Sequence, residues 1–430
     1  MFHLEVFQNP YVGCGTCGTL PPIGGRVGMT RVDAVLTISA AIDAVESGGD
    51  VVEGILLDVS GSMEGECIDA ARHAARKAIH LLDPSTWFFV IAFSSQSRCI
   101  VETMQATNAN KGKADFALQQ LTADGGTVFS KALDMAREQF ASRAGCRGHV
   151  LFLTDGKNNI EDTEDLREEL ELCKDLFQAD CRGVGTNWEP FQLRTIAEKL
   201  LGTAQIIQEP SQMDADFREA IQRAQGKTVG NVRLRLSMPR SGRVQFVTLK
   251  QMTPAILNLT GRQTFPDAYT CDFVTGAWAK GDSHDFHVEF DVPTGAVGDE
   301  MLVCRPSVVF GPADSTVKGP PIIAHWTADA DARSATINPQ VAHYTSQVRL
   351  ASDIREGLAA RARGDVDAAT ELLSRAAKIA AATGNTQVTE KLRNVVDQND
   401  DGTVKLKPSV DKAKLMDLDL RSSITSRALK

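Results

Sequence analysis

Between Val51 and Gln225 segments with the pattern of a buried strand alternate with segments that have the pattern of a helix. This is the sequence feature that limits the possible fold most strongly. Short apolar runs such as "VVEGILLD" are typical of parallel strands that are covered by helices on both faces. The stretches between them have helical spacing. In "CIDAARHAARKAIHLL" the repeated apolar positions are Ile68, Ala71, Ala75, Ile79 and Leu82. This alternation predicts a doubly wound, Rossmann-like α/β domain.

On either side of this region the hydrophobic period changes to two. Apolar residues alternate in "TRVDAVLTISA" before it and in "NVRLRLSM", "DFHVEFDV" and "MLVCRPSVVF" after it. Such alternation indicates antiparallel strands with one buried face. We predict an antiparallel β-sandwich whose first part is residues 1–48 and whose second part is residues 229–330. The α/β domain, residues 49–228, is inserted between them; two unrelated strand regions are the alternative.

The last hundred residues have helical periodicity. We assign residues 331–398 to a helical region, in which "GLAARARGDVDAATELLSRAAKIAAATGN" resembles one tetratricopeptide-type hairpin. A single repeat cannot form a solenoid, so we expect it to pack on the sandwich or to dock a partner. Residues 399–430 are polar and lack long periodicity, and we expect a mobile tail.

Composition excludes several classes of partner. A chain of 430 residues is too long for one ordinary core, and its net charge of −9 with no dense Lys/Arg run argues against nucleic acid or an anionic membrane. No apolar stretch approaches the roughly 20 residues of a membrane span. The first residues, "MFHLEVFQNP", do not resemble a signal peptide. Nine scattered cysteines, an odd number, fit free thiols, so we expect a cytoplasmic protein.

Polar side chains follow the ends of three segments of the α/β region. "ILLDVSGSMEGE" carries a carboxylate and two hydroxyls past the end of a core strand, "ADGGTVFS" adds a threonine, and "HVLFLTDGKN" ends another strand in an aspartate. In open α/β sheets ligands bind outside the carboxyl ends of the strands. The candidate metal ligands are Asp58, Ser60, Ser62, Thr127 and Asp155. All of them offer hard oxygen donors, which suit Mg²⁺ above all, with Mn²⁺ or Ca²⁺ as alternatives.

This set resembles a known site. D-x-S-x-S, then Gly-Gly-Thr, then T-D-G is similar to the metal-ion-dependent adhesion site of von Willebrand factor A domains, and all five positions match. The resemblance implies that the cation keeps one coordination position open and that an acidic residue of a partner protein completes it. The alternative from the residues alone is that Asp58 and Asp155 cap helices while the serines satisfy turns.

The resemblance extends beyond the α/β domain. "VFQNPYV", "DCRGVGTNWE", "TGAWAKGDSHDFHVEF", "GDEML" and "TINPQVAHYT" resemble a group of bacterial cytoplasmic A-domain proteins with a β-rich segment and a helical C-terminus. Relatives in that group are encoded near kinase, phosphatase, FHA and tellurite-resistance-type genes. The segment "VGCGTCGTLPPIGG" departs from the group's pattern.

Three other motifs are weaker candidates. Cys14 and Cys17 form a C-x-x-C, interpreted as incidental loop thiols because no second pair or helix start accompanies it; zinc or redox chemistry is the alternative. "DQNDDGTVKLKP" resembles half an EF-hand loop, but its closing position is Pro408, so a polar turn is favoured. His284 and His287 lie three residues apart, on opposite faces of a strand, so we interpret "GDSHDFHVEF" as an edge or turn segment.

The leading functional hypothesis is a protein-interaction module without enzymatic activity, since no nucleophile or phosphate-binding motif stands out. Its partner would present Asp or Glu to the Mg²⁺, and Trp188 would add apolar contact area. One alternative is a subunit of an AAA+ ATPase or chelatase-type complex. Another is a phosphorylation-regulated scaffold in a kinase, phosphatase and FHA or stress-response system. Its phosphorylated tail would be "LRSSITSR", with exposed Ser422, Ser423, Thr425 and Ser426.

Overall fold

The computed structural model describes residues 2–13, 28–41, 50–143, 145–311, 313–398 and 404–427, and all their side chains except those of residues 335 and 398. The chain forms two compact units. The β-rich unit consists of Met1–Ser47, Val229–Val410 and Arg421–Lys430, and the α/β unit of Gly48–Thr228 and Asp411–Leu420.

The chain begins with three strands of the β-rich unit, β1 (Phe2–Gln8), β2 (Val12–Gly13) and β3 (Met29–Ala40). The α/β unit then follows. Its elements in chain order are β4 (Val51–Asp58), α1 (Glu66–Leu81), β5 (Trp87–Phe93), β6 (Ser97–Gln105), α2 (Asn108–Gln119), α3 (Phe129–Ala141), β7 (Arg147–Thr154), α4 (Thr163–Cys173), β8 (Gln178–Val184), α5 (Pro190–Lys199), β9 (Ala204–Ile207) and α6 (Met213–Gly226).

The sheet of the α/β unit has the order β6-β5-β4-β7-β8-β9, and its neighbours run parallel except β5 and β6. Helices α1, α2 and α6 cover one face and α3, α4 and α5 the other, with apolar clusters beneath both sets. The predicted doubly wound fold is confirmed. Strand β6 was not predicted, because an edge strand exposes one face and carries polar residues such as Arg98 and Glu102 there.

The remaining strands of the β-rich unit are β10 (Val229–Ser237), β11 (Gln245–Gln251), β12 (Leu257–Asn258), β13 (Thr264–Asp267), β14 (Thr270–Trp278), β15 (Ser283–Pro293), β16 (Glu300–Phe310), β17 (Ser315–Lys318) and β18 (Ile322–Thr327). One sheet has the order β1-β3-β15-β11-β12, and the other β13-β14-β10-β16-β18-β2 with β17 beside β16. Rings from the two sheets meet, with centroids 5.6 Å apart for Phe2 and Trp278 and 5.3 Å for Phe246 and Phe273. The strands before and after the α/β region therefore share one core, which confirms the predicted fold class.

The structure corrects the interpretation of "GDSHDFHVEF". This stretch lies in β15, an inner strand paired with β3 on one side and β11 on the other, and not at an edge or in a turn. Its inner position explains the unbroken burial from Asp285 to Val288. His284 stacks on Trp278 with ring centroids 4.1 Å apart, whereas His287 points to the opposite face.

The C-terminal part contains α7 (Ala330–Ala335), α8 (Pro339–Ala362), α9 (Val366–Ala382), α10 (Thr386–Val395), β19 (Val396–Gln398), β20 (Val404–Leu406) and α11 (Lys412–Arg421). Helices α8 and α9 pack closely, with an ion pair between Asp353 and Arg375 and with Leu373 against Gly357. Helix α8 also packs on the first sheet, where Tyr344 joins Val35 in an apolar cluster.

The segment expected to be a mobile tail is ordered in its described part. Helix α11 buries Met416 and Leu420 in the same apolar cluster as α3, α4 and α5. A helix of ten residues with few apolar positions gives too weak a periodicity to be predicted from sequence. It is stabilised because its apolar side chains are buried against α3, α4 and α5. No helix in the described ranges has both the length and the apolar composition of a membrane span.

Candidate metal site of the α/β unit

Three loops meet at the carboxyl edge of the α/β sheet, and backbone hydrogen bonds join them. Gly61 N donates to Gly125 O (2.9 Å), which links the loop after β4 to the loop before α3. Asn159 N donates to Thr127 O (2.9 Å), which links the latter to the loop after β7. The residues predicted from "ILLDVSGSMEGE", "ADGGTVFS" and "HVLFLTDGKN" are thereby brought to one place.

The hydroxyl and carboxylate oxygens of these loops lie close together. Ser62 Oγ donates to Asp155 Oδ1 (2.6 Å), and the Oγ atoms of Ser60 and Ser62 are 3.1 Å apart. Thr127 Oγ1 lies beside Gly156, where a Cβ atom would be 2.9 Å from it and 3.6 Å from Ser62 Oγ. The structure therefore gathers Ser60, Ser62, Thr127 and Asp155 around one point of the loop cluster.

Asp58 forms the floor of this cluster and is completely buried. One of its carboxylate oxygens accepts a hydrogen bond from Ser60 N (2.7 Å), and the other accepts one from Thr154 Oγ1. These two donors fix the orientation of the carboxylate. Since both oxygens already have a protein donor, Asp58 is suited to supply charge from behind the hydroxyls.

Burial makes both carboxylates unfavourable as free anions. The pKa of Asp58 is raised to about 6, because desolvation and, to a smaller extent, the charge of Asp155 outweigh the hydrogen bonds from Ser60 and Thr154, which lower it. Burial also raises the pKa of Asp155, against the hydrogen bond from Ser62. A bound cation would remove this electrostatic cost, because it favours the charged form of each carboxylate.

The donor set fits a small, hard divalent cation. All candidate ligands are oxygens, and octahedral Mg²⁺ with bonds near 2.1 Å separates neighbouring ligand oxygens by about 3.0 Å. The separation of the two serine Oγ atoms, 3.1 Å, is close to that value. The residues that would hold the ion are the two serines and the threonine, with Asp58 and Asp155 supplying negative charge.

Two residues that stabilise the site were not identified from sequence. Thr154 orients Asp58, and its place beside the aspartate of "LTDG" is the only local signal for this role. Asp162 accepts hydrogen bonds from Phe129 N (3.1 Å) and Ser130 N (3.0 Å), which anchors the first turn of α3 directly after Thr127. Its contribution could not be predicted, because it lies on a different loop from the helix that it caps.

The apolar surface near the site differs from the prediction. Trp188 was expected to contact a partner, but it is 1% exposed: its ring covers Gly183, and its Nε1 donates to Gly185 O (3.1 Å). On the segment after β7 and at the start of α5, Ile160 and Phe191 are exposed, at 85% and 59%. They belong to adjoining segments, since Asn158 N donates to the side-chain oxygen of Gln192 (3.1 Å).

The weaker motifs have separate outcomes. Cys14 and Cys17 lie outside the described residues, as do most of the half EF-hand positions, Asn399, Asp401 and Gly402. The seven cysteines within the described ranges are free thiols, as predicted.

The tail residues expected to be exposed phosphorylation sites are not exposed. Ser422 is buried and accepts a hydrogen bond from Arg355 Nε (3.1 Å). Ser423, Thr425 and Ser426 are half-buried, and Ser426 Oγ donates to Thr383 O (3.1 Å). The prediction failed because a polar segment can be buried when its hydroxyls find partners in other elements.

Comparisons with known proteins agree with the fold. Residues 50–206 match the von Willebrand factor type A domain, and residues 378–422 match the von Willebrand factor type A C-terminal domain. A curated, uncharacterized protein of Synechocystis is 27% identical over 209 residues, which are 48% of this chain and 49% of that protein. The chain thus matches only about half the length of this relative.

Solved structures extend the similarity to the whole chain. The von Willebrand factor type A protein from Catenulispora acidiphila is 34% identical, with 99% of this chain and 97% of that chain covered and a TM-score of 0.88. The ArnB paralog VWA2 from Sulfolobus acidocaldarius shares the fold at 15% identity, with coverage of 98% and 97% and a TM-score of 0.58. The 34% identity to the Catenulispora protein over nearly the full length of both chains is decisive: the chain belongs to the von Willebrand factor type A family.

Proposed function

We propose that the protein is an interaction module that holds Mg²⁺ at Asp58, Ser60, Ser62, Thr127 and Asp155 and binds an acidic side chain of a protein partner. Domains of this family are typically protein-interaction or adhesion modules and are generally not enzymes. When bound, the cation would supply a strong, directional bond to a carboxylate. Mn²⁺ could take the same oxygens, whereas Ca²⁺, with its longer bonds of about 2.3–2.6 Å, fits their close spacing less well.

The observation that carries the proposal is the burial gradient across the oxygen cluster. Asp58 is completely buried and Ser60 is 2% exposed, whereas Ser62 is exposed and Thr127 is half-buried. Negative charge is therefore concentrated on the inner side, and the hydroxyls line the outer side. This arrangement supports a cation at the surface, where a partner's carboxylate can reach it.

Apolar contacts beside the cation would add affinity and specificity. Ile160 and Phe191 are exposed on segments that follow β7 and β8, the latter at the start of α5. Exposed large apolar side chains beside a polar centre are typical of residues that dominate binding energy. We therefore include both side chains in the proposed contact surface.

The test is affinity capture with the full chain in native lysate, in Mg²⁺ and in EDTA, with mass spectrometry of the bound proteins. We expect partners that are retained in Mg²⁺ and lost both in EDTA and with Asp58→Asn. Glu138→Gln is the matched control, because it removes an exposed carboxylate near the other end of α3. The identity of the captured proteins distinguishes an ATPase from kinase, phosphatase or FHA proteins as partners.

Calorimetry separates metal binding from partner binding. Wild-type protein and Glu138→Gln should bind one Mg²⁺ per chain, and Asp58→Asn should bind it at least about tenfold more weakly. Partners that remain bound in EDTA and with Asp58→Asn would contradict the proposal even if Mg²⁺ binds.

A further inference from the structure

A second group of potential metal ligands lies in the β-rich unit, on one face of the sheet that contains β3 and β15. Asp33 on β3 is directly opposite Glu289 on β15, and His287 precedes Glu289 by two residues on the same face. One ligand atom from each of these three residues lies within 4.8 Å of the others. None of them belongs to the site proposed above.

The imidazole of His287 is the second, independent sign of a ligand. The residue is 6% exposed, yet its Nε2 has no hydrogen-bond partner among the described residues. Nε2 is 3.8 Å from an oxygen of Asp33, and Nδ1 is 4.0 Å from an oxygen of Glu289. Both distances exceed hydrogen-bonding range, so a buried imidazole nitrogen directed at the Asp33 carboxylate is left unsatisfied.

The charges around this group favour an added cation. Asp33 and Glu289 are like charges paired directly across two strands, which is destabilising without compensation. Arg31 donates to the second oxygen of Glu289 (2.7 Å) and to Asp291 (2.6 Å) and so leaves the first oxygen of Glu289 facing His287. Lys250 pairs with His287 across β11 and β15. The three carboxylates of this group belong to Asp33, Glu289 and Asp291, and the two cations are Arg31 and Lys250. The group therefore has one negative charge in excess.

We propose that His287, Asp33 and Glu289 form a binding site for a first-row divalent cation, Zn²⁺ foremost. One imidazole nitrogen with two carboxylate oxygens is a borderline donor set that suits Zn²⁺, in contrast to the all-oxygen set of the α/β unit. Ligand atoms around tetrahedral Zn²⁺ at 2.0–2.1 Å are separated by about 3.3 Å. An imidazole offers only one nitrogen to a single ion, and Nε2, which has no hydrogen-bond partner, lies 3.8 Å from the Asp33 oxygen, close to that separation. The fourth position would remain open to water or to a further ligand.

The test is zinc titration calorimetry on the full chain in a background of Asp58→Asn, Cys14→Ser and Cys17→Ser, which removes the other candidate metal sites. We expect one Zn²⁺ per chain and a zinc-dependent rise in melting temperature. His287→Gln should weaken zinc binding at least about tenfold and abolish the thermal shift. His284→Gln is the matched control, because it alters a histidine of the same strand on the opposite face.

Asp33→Asn is the second ligand variant, because its side chain is 31% exposed and the substitution keeps its size. It should weaken zinc binding as His287→Gln does while the melting temperature without zinc stays near that of the background. Two results would overturn the proposal: a background protein that binds no zinc, or zinc affinity that is unchanged in both His287→Gln and Asp33→Asn. The latter would indicate that the three side chains form an ion-pair cluster only.

Discussion

The position of Thr127 at the carboxyl edge of the α/β sheet depends on the two residues that it lies beside or precedes, Gly156 and Phe129. Gly156 leaves room for Thr127 Oγ1, which is the only candidate ligand contributed by the loop before α3. The ring of Phe129, two residues after Thr127, packs on Phe152 with centroids 5.1 Å apart. Thr127 is thus located by a close-packed core beneath it and by the absence of a side chain beside it.

Gly156→Ala should lower Mg²⁺ affinity by about tenfold, or about 1.4 kcal/mol, because its Cβ atom would lie 2.9 Å from Thr127 Oγ1 and displace it. Gly61→Ala is the control, since its Cβ atom would make only an ordinary contact, 3.6 Å from Gly125 O. Calorimetry with Mg²⁺ on both variants measures the difference. Equal affinities in the two variants would argue against Thr127 as a ligand.

Trp188, which the sequence suggests as a partner contact, should stabilise the fold, and Phe191 should contact the partner. Trp188→Ala removes a buried ring and should lower the free energy of unfolding by about 3–5 kcal/mol. Phe191→Ala, at an exposed position, should leave that energy within about 0.5 kcal/mol of wild type and weaken Mg²⁺-dependent partner capture. Chemical denaturation and capture assays decide between the two roles. A stable Trp188→Ala protein would contradict the observed burial.

At the scale of single elements, strand β7 carries a charged residue into the interior of the sheet. His149 Nδ1 is 2.6 Å from an oxygen of Glu53 on β4, and His149 Nε2 is 3.5 Å from an oxygen of Asp180 on β8. Burial alone would lower the pKa of His149, but the charges and hydrogen bonds of these two carboxylates outweigh it and raise the pKa to about 9. Three neighbouring strands are thus joined by side chains as well as by backbone.

This raised pKa predicts a defined pH dependence of stability. A group whose pKa is higher in the folded than in the unfolded state stabilises the fold fully below its unfolded pKa, about 6.5, and loses that effect as pH rises through about 9. His149→Gln should lower the free energy of unfolding by about 3 kcal/mol at pH 6, because it leaves buried carboxylates uncompensated. It should also reduce the slope of stability between pH 6.5 and 9. Denaturation curves across this range, with the exposed His73→Gln as control, measure both effects.

At the scale of the whole molecule, a late segment of the chain completes the core of an early unit. Residues of α11 join the apolar cluster of α3, α4 and α5, and Arg194 on α5 forms an ion pair with Asp419 (2.8 Å). The α/β unit is therefore not one continuous stretch of sequence. Its stability depends on residues that follow the β-rich unit in the chain.

Met416→Ala should destabilise the α/β unit by about 2–5 kcal/mol, because it removes a buried side chain from that cluster. Lys414→Ala, at an exposed position of the same helix, should change stability little, since Lys and Ala both favour helices. Hydrogen exchange of the amides in β4, β7 and β8 reports on this unit specifically. Unchanged protection in Met416→Ala would show that α11 contributes little to the core.

Local patterns in the sequence were sufficient to predict the alternating α/β core, the flanking sandwich strands and five oxygen donors at one sheet edge. They suffice because hydrophobic period reports which face of a segment is buried, and because the carboxyl ends of parallel strands meet at a common edge. Whether the five donors hold a metal stays a prediction. Asp58, Ser60 and Ser62 lie within five consecutive residues, so this part of the motif is visible in the sequence itself.

Long-range packing determined the features that the sequence did not reveal. Trp188 is buried because Gly183 leaves space for its ring, and α11 is helical because helices far away in the sequence bury one of its faces. Asp33 and His287 lie on strands from distant parts of the sequence and become neighbours only through the pairing of β3 with β15. Contacts of this kind depend on which segments pair in space, and the period of a single segment does not contain that information.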